Sequence, residues 1–224
     1  MLSLKTLLAA TAASGALAVP AVASAAERPS LPDPIPVPAG QVQHTVTDAT
    51  FKGNYTIRGV VPWHHITESW VSAHRARAVT RDANGKLLGE CVVVNERTRC
   101  YSAADNEITT FTSSRPDPGW ASWQYRGALI KAQIDVGWYA IAGDTTALGR
   151  PAKALRDTHG DSSSTTSIVA DAATLAPLVR TTTGSSHGKT FTQTETVTRF
   201  ETISARNAHF KMLRHPGAKV RRGR

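Results

Sequence analysis

The sequence contains no apolar run long enough to cross a membrane, and it has only two cysteines, Cys91 and Cys100. Its most apolar stretch, residues 7–23, is interrupted by Thr, Ser, Gly and Pro, whereas a membrane-spanning helix needs about 20 predominantly apolar residues. The pattern therefore argues against a transmembrane anchor. Because no cysteine lies near the end of this stretch, we also expect no lipid attachment of the bacterial lipoprotein kind.

Catalytic loop motifs are also lacking. Residues 184–190, GSSHGKT, are similar to a phosphate-binding loop, but only three residues separate the glycines where that motif requires four. A strand pattern follows where a helix should begin, so we interpret the stretch as a hairpin turn. Residues 160–162, Gly-Asp-Ser, lie in a Ser/Thr-rich loop without the G-x-S-x-G context of a hydrolase. His159 is adjacent in sequence, but adjacency in sequence is no evidence of a catalytic triad. An exported hydrolase is the least favoured reading, and we predict that the protein is not an enzyme.

Histidines are present without the spacing that a metal site needs. His64 and His65 are adjacent, with His74 further along the chain. Imidazole suits transition metals, but successive residues of a strand point to opposite faces. No acidic or cysteine partner has ligand spacing. We predict no metal and no cofactor.

The first residues have the features of an export signal. Lys5 provides the positive charge, residues 7–23 provide the apolar segment, and residues 23–25, Ala-Ser-Ala, form a cleavage site. We therefore expect residues 1–25 to be a signal peptide and the mature chain to begin at Ala26. This places the protein outside the cytoplasm, in the cell envelope or secreted, where a disulfide is chemically favoured.

Acidic residues are fewer than basic ones. The chain has 26 Lys and Arg against 17 Asp and Glu, and removal of residues 1–25 takes away only Lys5, which leaves a net charge of +8. A basic exported protein is attracted to anionic lipid heads, wall polymers or nucleic acid. The only basic clusters are residues 74–77 and 221–224, and no nucleic-acid-binding motif accompanies them. We predict peripheral contact with an anionic membrane or wall, and no nucleic acid.

Residues 89–101, GECVVVNERTRCY, predict a β-hairpin. Folding this segment about residues 95–96 places Val94 opposite Arg97 and Cys91 opposite Cys100. Cross-strand neighbours lie close enough for a disulfide. The alternative that the sequence leaves open is a pair of free, buried cysteines.

Patterning along the chain predicts one mainly β domain of the α+β class. Five prolines in residues 27–40 favour an extended segment, so residues 26–44 are predicted to be a linker, residues 45–220 the domain and residues 221–224 a basic tail. Alternation predicts a meander of strands over residues 50–113, with arginines on one side of residues 75–81 and small residues on the other. A second meander is predicted after residue 138.

Between the meanders, apolar residues follow helical spacing. Asp117 is a good N-cap, Pro118 suits the first helical position, and Gly137 is a plausible stop, which together predict a helix over residues 118–135. The Trp-bearing face of this helix must be buried. We therefore predict a curved antiparallel half-barrel sheet with the helix across its concave face and an apolar cavity between the two.

Aromatic and apolar residues are the candidates for lining this cavity, because such side chains form most of the wall of a ligand pocket. Trp120 and Trp123 on the predicted helix would touch ligand and sheet alike. The other candidates are Ile130, Tyr55, Trp70 and Trp138. The alternative for each of them is an ordinary place in the domain core.

Two segments resemble the LolA-like superfamily of outer-membrane lipoprotein carriers, which includes the RseB type of sigma-factor regulator. The Gly-Arg-Pro turn of residues 149–151 and the Asp-Ala-x-Thr-x-x-Pro stretch of residues 171–177 are similar to actinobacterial members. The C-terminal residues 208–210 and 215–220 resemble the end of the same group. Val169-Ala170 departs from the pattern, which commonly has an aromatic residue before the Asp-Ala pair.

The resemblance covers residues 45–220 and implies a half-barrel whose cavity takes acyl chains without cofactor or catalysis. Two functional hypotheses follow. The first is a secreted carrier or sensor that holds a lipid or acyl chain. The second is a regulatory module of the RseB type that binds another envelope protein.

Overall fold

A computed structural model describes residues 30–33, 35–53, 62–95, 97–112, 121–159, 163–186 and 189–222. Within these residues the chain forms one open, curved sheet of 12 strands. The strands are β1 (Gln41–Gly53), β2 (Trp63–Val71), β3 (Arg75–Asp82), β4 (Leu87–Val94), β5 (Arg97–Ser102), β6 (Glu107–Thr112), β7 (Tyr139–Ala147), β8 (Arg150–Asp157), β9 (Ser164–Asp171), β10 (Pro177–Ser186), β11 (Lys189–Ser204) and β12 (Lys219–Arg222).

The predicted mainly β half-barrel with a helical insertion is confirmed. Strands β1–β6 and β7–β11 are two meanders, and the long strand β1 joins them by pairing with β2 on one side and β11 on the other. The sheet differs from the prediction in one respect, because β12 pairs in parallel with β6 and makes the sheet mixed. Strand β1 begins at Gln41, four residues before the predicted domain boundary, and β12 includes Arg221 and Arg222 of the predicted tail.

The stapled hairpin is confirmed in its predicted register. Val94 pairs with Arg97, and Cys91 pairs with Cys100 across β4 and β5. The two cysteines form a disulfide with a Cα–Cα distance of 4.1 Å. Asn95 at the turn has a φ of +51°, a left-handed conformation that Asn tolerates better than most residues. This bond joins two adjacent strands of the first meander.

A single α-helix within the described residues, α1 (Trp123–Asp135), lies between β6 and β7. Its N-cap is Ser122, whose side-chain oxygen accepts a hydrogen bond from the Tyr125 amide at 3.1 Å. The predicted start at residue 118 is therefore wrong, and the helix begins five residues later. The predicted cap, Asp117, and the neighbouring Pro118 lie outside the described residues. Gly137, with a φ of +78°, follows the last turn as predicted.

Helix α1 packs on the second meander. Trp123 shares a buried cluster with Ala152, Leu178 and Val197, and Ile130 belongs to a second cluster with Leu155, Ile168 and Ala170. The helix can approach the sheet closely at Gly127, because a Cβ there would lie 1.9 Å from the carbonyl oxygen of Thr174. No helix in the described part of the chain has the length and apolarity to span a membrane.

After β11 the chain crosses one face of the sheet as a segment that we call the strap, residues 205–218, before it adds β12 at the edge. A short 3-10 helix, Asn207–Phe210, begins this crossing, and Phe210 is buried. Asn207 accepts a hydrogen bond from Arg75 of β3 at 2.8 Å. The predicted signal peptide and its cleavage site lie in residues 1–29, outside the described residues, and remain predictions.

Candidate functional site

Side-chain contacts divide the sheet into a helix face and a strap face. The Trp123 amide donates to the side-chain oxygen of Gln43 at 2.7 Å, and the Trp123 ring stacks on Phe200 at 4.0 Å. Gln43 and Phe200 therefore lie on the helix face. Because paired residues share a face and successive residues alternate, the strand register assigns the remaining positions.

On the helix face, the middle of strands β2–β5 carries no charged side chain. We call this layer the floor. The floor consists of Thr67, Ser69, Val71, Ala76, Ala78, Thr80, Gly89, Cys91, Val93, Thr98 and Cys100. Ser69, Ala76, Ala78, Val93 and Cys100 are only half-buried, so solvent or a ligand can reach part of this layer. Helix α1 packs elsewhere, on the second meander.

The arginine alternation of β3 places charge on the opposite side. Arg77 and Arg81 lie on the strap face, while Ala76, Ala78 and Thr80 belong to the floor. The sequence pattern thus separated the two faces correctly. Which of them faces the helix could not be read from the alternation alone.

The four cavity candidates that the structure describes do not gather at one site. Trp123 and Ile130 are 4% and 6% exposed and belong to the core beneath the helix. Trp138 is half-buried, packs against the Ile130 cluster and stacks on His159 at 6.2 Å. Trp70 is on the strap face. Tyr55 and Trp120 lie outside the described residues. Their lining of a cavity remains a prediction.

Sequence reasoning missed a buried polar network on the strap face. Glu90 of β4 is fully buried. Its carboxylate accepts hydrogen bonds from Arg77 at 2.7 Å, from the Leu213 amide at 3.0 and 3.2 Å, and bonds to the His215 ring at 2.9 Å. His215 stacks on Tyr101 at 3.6 Å. Because buried charges need partners, this network fixes the strap onto the sheet.

A second network continues across the strap face. The Arg77 guanidinium lies 5.0 Å from the Trp70 ring centroid, and Trp70 stacks on His44 at 5.2 Å. His44 is 6% exposed, and its two ring nitrogens lie 2.6 Å from Glu201 and 2.8 Å from Glu68. The hydrogen bond with His44 holds the pKa of Glu201 below its usual range. Trp70 is thus a structural partner of charged groups on this face.

The adjacent histidines point to opposite faces, as predicted. His64 bonds to Asp48 at 2.9 Å on the strap face, whereas His65 stacks on Trp63 at 4.6 Å on the helix face. Burial, and then the nearby His64, lowers the pKa of His65. Among the residues that the structure describes, no group of three or more His, Cys, Asp or Glu could hold a metal ion.

No protein-family model and no curated protein matches the chain. Solved structures do match. An uncharacterised conserved protein from Thermus thermophilus has 13% identity, with 83% of this chain and 91% of that chain covered and a TM-score of 0.48. MucB in the Pseudomonas aeruginosa MucA/MucB complex has 18% identity, with 76% and 56% covered and a TM-score of 0.42. LolA superfamily protein NE2245 from Nitrosomonas europaea has 8% identity, with 80% and 94% covered and a TM-score of 0.33.

The solved structures that match include a LolA superfamily protein, in agreement with the resemblance noted in the sequence. This chain spans a little over half of the MucB chain that it matches. At identities of 8–18% and TM-scores of 0.33–0.48, these likenesses carry no argument about function. The functional argument must come from the residues of this chain.

Proposed function

We propose that the protein is a non-enzymatic binding protein that holds a lipid or acyl chain against the floor. The observation that carries the proposal is the composition of this layer. Its residues are small, none is charged, and several of them are half-buried rather than sealed. Small side chains leave space, and an uncharged surface lets an acyl chain lie on it without stripping water from an ion.

The energetics favour an apolar ligand on such a surface. Transfer of a methylene group from water to an apolar site contributes about 0.8 kcal/mol. An acyl chain therefore needs no specific polar contact to bind, which agrees with a floor that offers Ala78 and the Cys91–Cys100 disulfide rather than an array of charged donors. The same disulfide supports an extracytoplasmic location, because such bonds persist mainly in oxidising compartments.

The test is native mass spectrometry of residues 26–224 purified from an exporting host, followed by identification of the released small molecules. The variant Ala78→Trp fills the floor with a large ring. The variant Ala83→Trp is its matched control, because it makes the same substitution in the exposed turn between β3 and β4. The variant Trp123→Asp is unsuitable as a test of ligand binding. Trp123 is 4% exposed in the core, and a buried charge there would disrupt the packing of helix α1 on the sheet.

The expected result is a discrete adduct of lipid mass on the parent protein and on Ala83→Trp, with at least a fivefold lower occupancy on Ala78→Trp. Circular dichroism of all three proteins controls for folding. Equal loading of a folded Ala78→Trp would contradict the floor as the binding surface. An adduct-free protein that also refuses added fatty acid and phospholipid would contradict acyl binding altogether.

A second candidate function is the binding of an extended segment of another envelope protein at one edge of the sheet. Strand β7 forms this edge, and residues 141–146 are all exposed, with Ile141 at 52%. An exposed sheet edge can accept an additional strand. Affinity capture from an envelope fraction tests this function. A specific partner should be retained by the parent protein and lost with Ile141→Lys, while Ala83→Lys retains it.

A further inference from the structure

A groove opens on the strap face, on the side of the sheet away from the floor. Its volume is about 460 Å³. It is lined by Val46, Ile66, Glu68, Arg81, Thr198 and Arg199. Val46 pairs with Arg199, and Ile66 pairs with Arg81, so four neighbouring strands contribute. The two half-buried aliphatic side chains form an apolar base between two arginines.

The two arginines that line the groove have no assigned structural role. Arg77, four residues before Arg81 on the same face, is bonded to the buried Glu90. By contrast, neither the Arg81 side chain nor the Arg199 side chain makes a hydrogen bond or an ion pair within the described part of the chain. Arg199 acts on Glu201 only through its charge. Both guanidinium groups therefore stay available to a ligand in the groove.

One carboxylate, that of Glu68, also lines the groove, but it is already bonded to the buried His44. Glu68 bonds to the Nε2 atom of His44 at 2.8 Å, and the Nδ1 atom of His44 bonds to Glu201 at 2.6 Å. The lining of the groove itself contains two arginines and one carboxylate, so it carries a net positive charge.

We propose that this groove is a binding site for a phosphate group attached to a short apolar substituent. Arg81 and Arg199 approach from strands β3 and β11, on opposite sides of the groove, and a tetrahedral phosphate presents oxygens in several directions. Arginine suits such contacts because its planar group donates several hydrogen bonds in a fixed geometry. Val46 and Ile66 pack against the apolar part. The site is on the other face from the floor and does not depend on the acyl-chain proposal.

The test is isothermal titration calorimetry with butyl phosphate and with inorganic phosphate, on the full mature chain. Butyl phosphate should bind more tightly than inorganic phosphate. The variant Ile66→Thr should reduce this difference in affinity between the two ligands, because it makes the apolar base of the groove smaller. Arg81→Gln and Arg199→Gln should each weaken butyl phosphate binding at least fivefold. Arg97→Gln is the matched control, since Arg97 is exposed on β5, outside the groove, without an ion pair among the described residues. It should change the affinity less than twofold.

A phosphate of this kind can be a free phosphoester or a lipid headgroup. Sedimentation with phosphatidylglycerol vesicles, compared with phosphatidylcholine vesicles, distinguishes these sources. Binding to phosphatidylglycerol vesicles that both groove variants lose and Arg97→Gln keeps assigns the headgroup. Butyl phosphate binding without vesicle binding assigns the free ester. Equal weakening by all three arginine variants would overturn the proposal, because attraction would then be diffuse. The proposal would also be overturned if neither butyl phosphate nor the phosphatidylglycerol vesicles bound.

Discussion

Glu90 provides the sharpest prediction about stability, because one carboxylate joins the sheet to the strap. The residue is fully buried and bonds to Arg77, to the Leu213 amide and to His215. The Arg77 side chain is itself only 10% exposed. Glu90→Ala therefore leaves a largely buried guanidinium without its carboxylate and frees the strap from its main anchor.

The size of the effect follows from this burial. Removal of one partner of a buried ion pair typically destabilises a protein by about 3–5 kcal/mol. We expect Glu90→Ala to lower the free energy of unfolding by that amount. Asp144→Ala is the control. It removes the partner of Lys153 in an exposed pair, which should cost less than about 1 kcal/mol.

Urea denaturation measures both free energies, and hydrogen exchange locates the loss. In Glu90→Ala the amide of Leu213 should lose protection, while the amides of β4 and β5 keep theirs at low denaturant. A loss of less than about 1 kcal/mol, equal to that of Asp144→Ala, would refute the anchoring role. Unchanged protection at Leu213 would show that the strap is held by other contacts.

Three further predictions concern the fold. Cys91→Ser should lower the free energy of unfolding by about 2–3 kcal/mol, because the disulfide closes a short loop, and intact-mass spectrometry with thiol labelling verifies the bond. Gly127→Ala should cost about 1–3 kcal/mol in urea, because its Cβ would clash with Thr174. Burial raises the pKa of Asp171, but hydrogen bonds from Thr174, Arg150 and Ala173 outweigh it and lower the pKa. This stabilisation is present above about pH 4 and is lost as pH falls further, so Asp171→Asn should flatten that decline in stability–pH curves.

Local patterns were sufficient for the parts of the fold that depend on neighbouring residues. The hairpin register, including the pairing of Cys91 with Cys100, follows from the separation of two strands by one turn. The two meanders could be predicted for the same reason, because each of their strands pairs with its sequence neighbour. The end of the helix could also be predicted from the local sequence, because Gly137 adopts a positive φ after the last turn. The helix begins later than predicted because Ser122, a residue equal to Asp117 in capping quality, forms the N-cap.

The parts that could not be predicted depend on distant residues. Glu90 and His215 are 125 positions apart, and no local pattern connects a polar residue on a wet strand face to a strap that returns from the C-terminus. Trp70 was proposed for the cavity because it is aromatic, yet it contacts His44 and Arg77 on the opposite face. Alternation says which residues share a face, but only the packing of α1 decides which face it covers.

The two proposed sites share strands β2 and β3 and lie on opposite faces of them, and this arrangement leads to a final prediction. Ala78 of the floor and Arg81 of the groove are both on β3 but point to opposite sides. Substitutions without shared contacts are usually additive within about 0.5 kcal/mol, which corresponds to roughly a twofold change in affinity. Ala78→Trp should therefore leave butyl phosphate affinity within twofold of the parent protein, and Arg81→Gln should leave acyl occupancy unchanged. A larger effect in either crossed measurement would mean that β3 changes conformation when one face is filled, so that a ligand on one side regulates binding on the other.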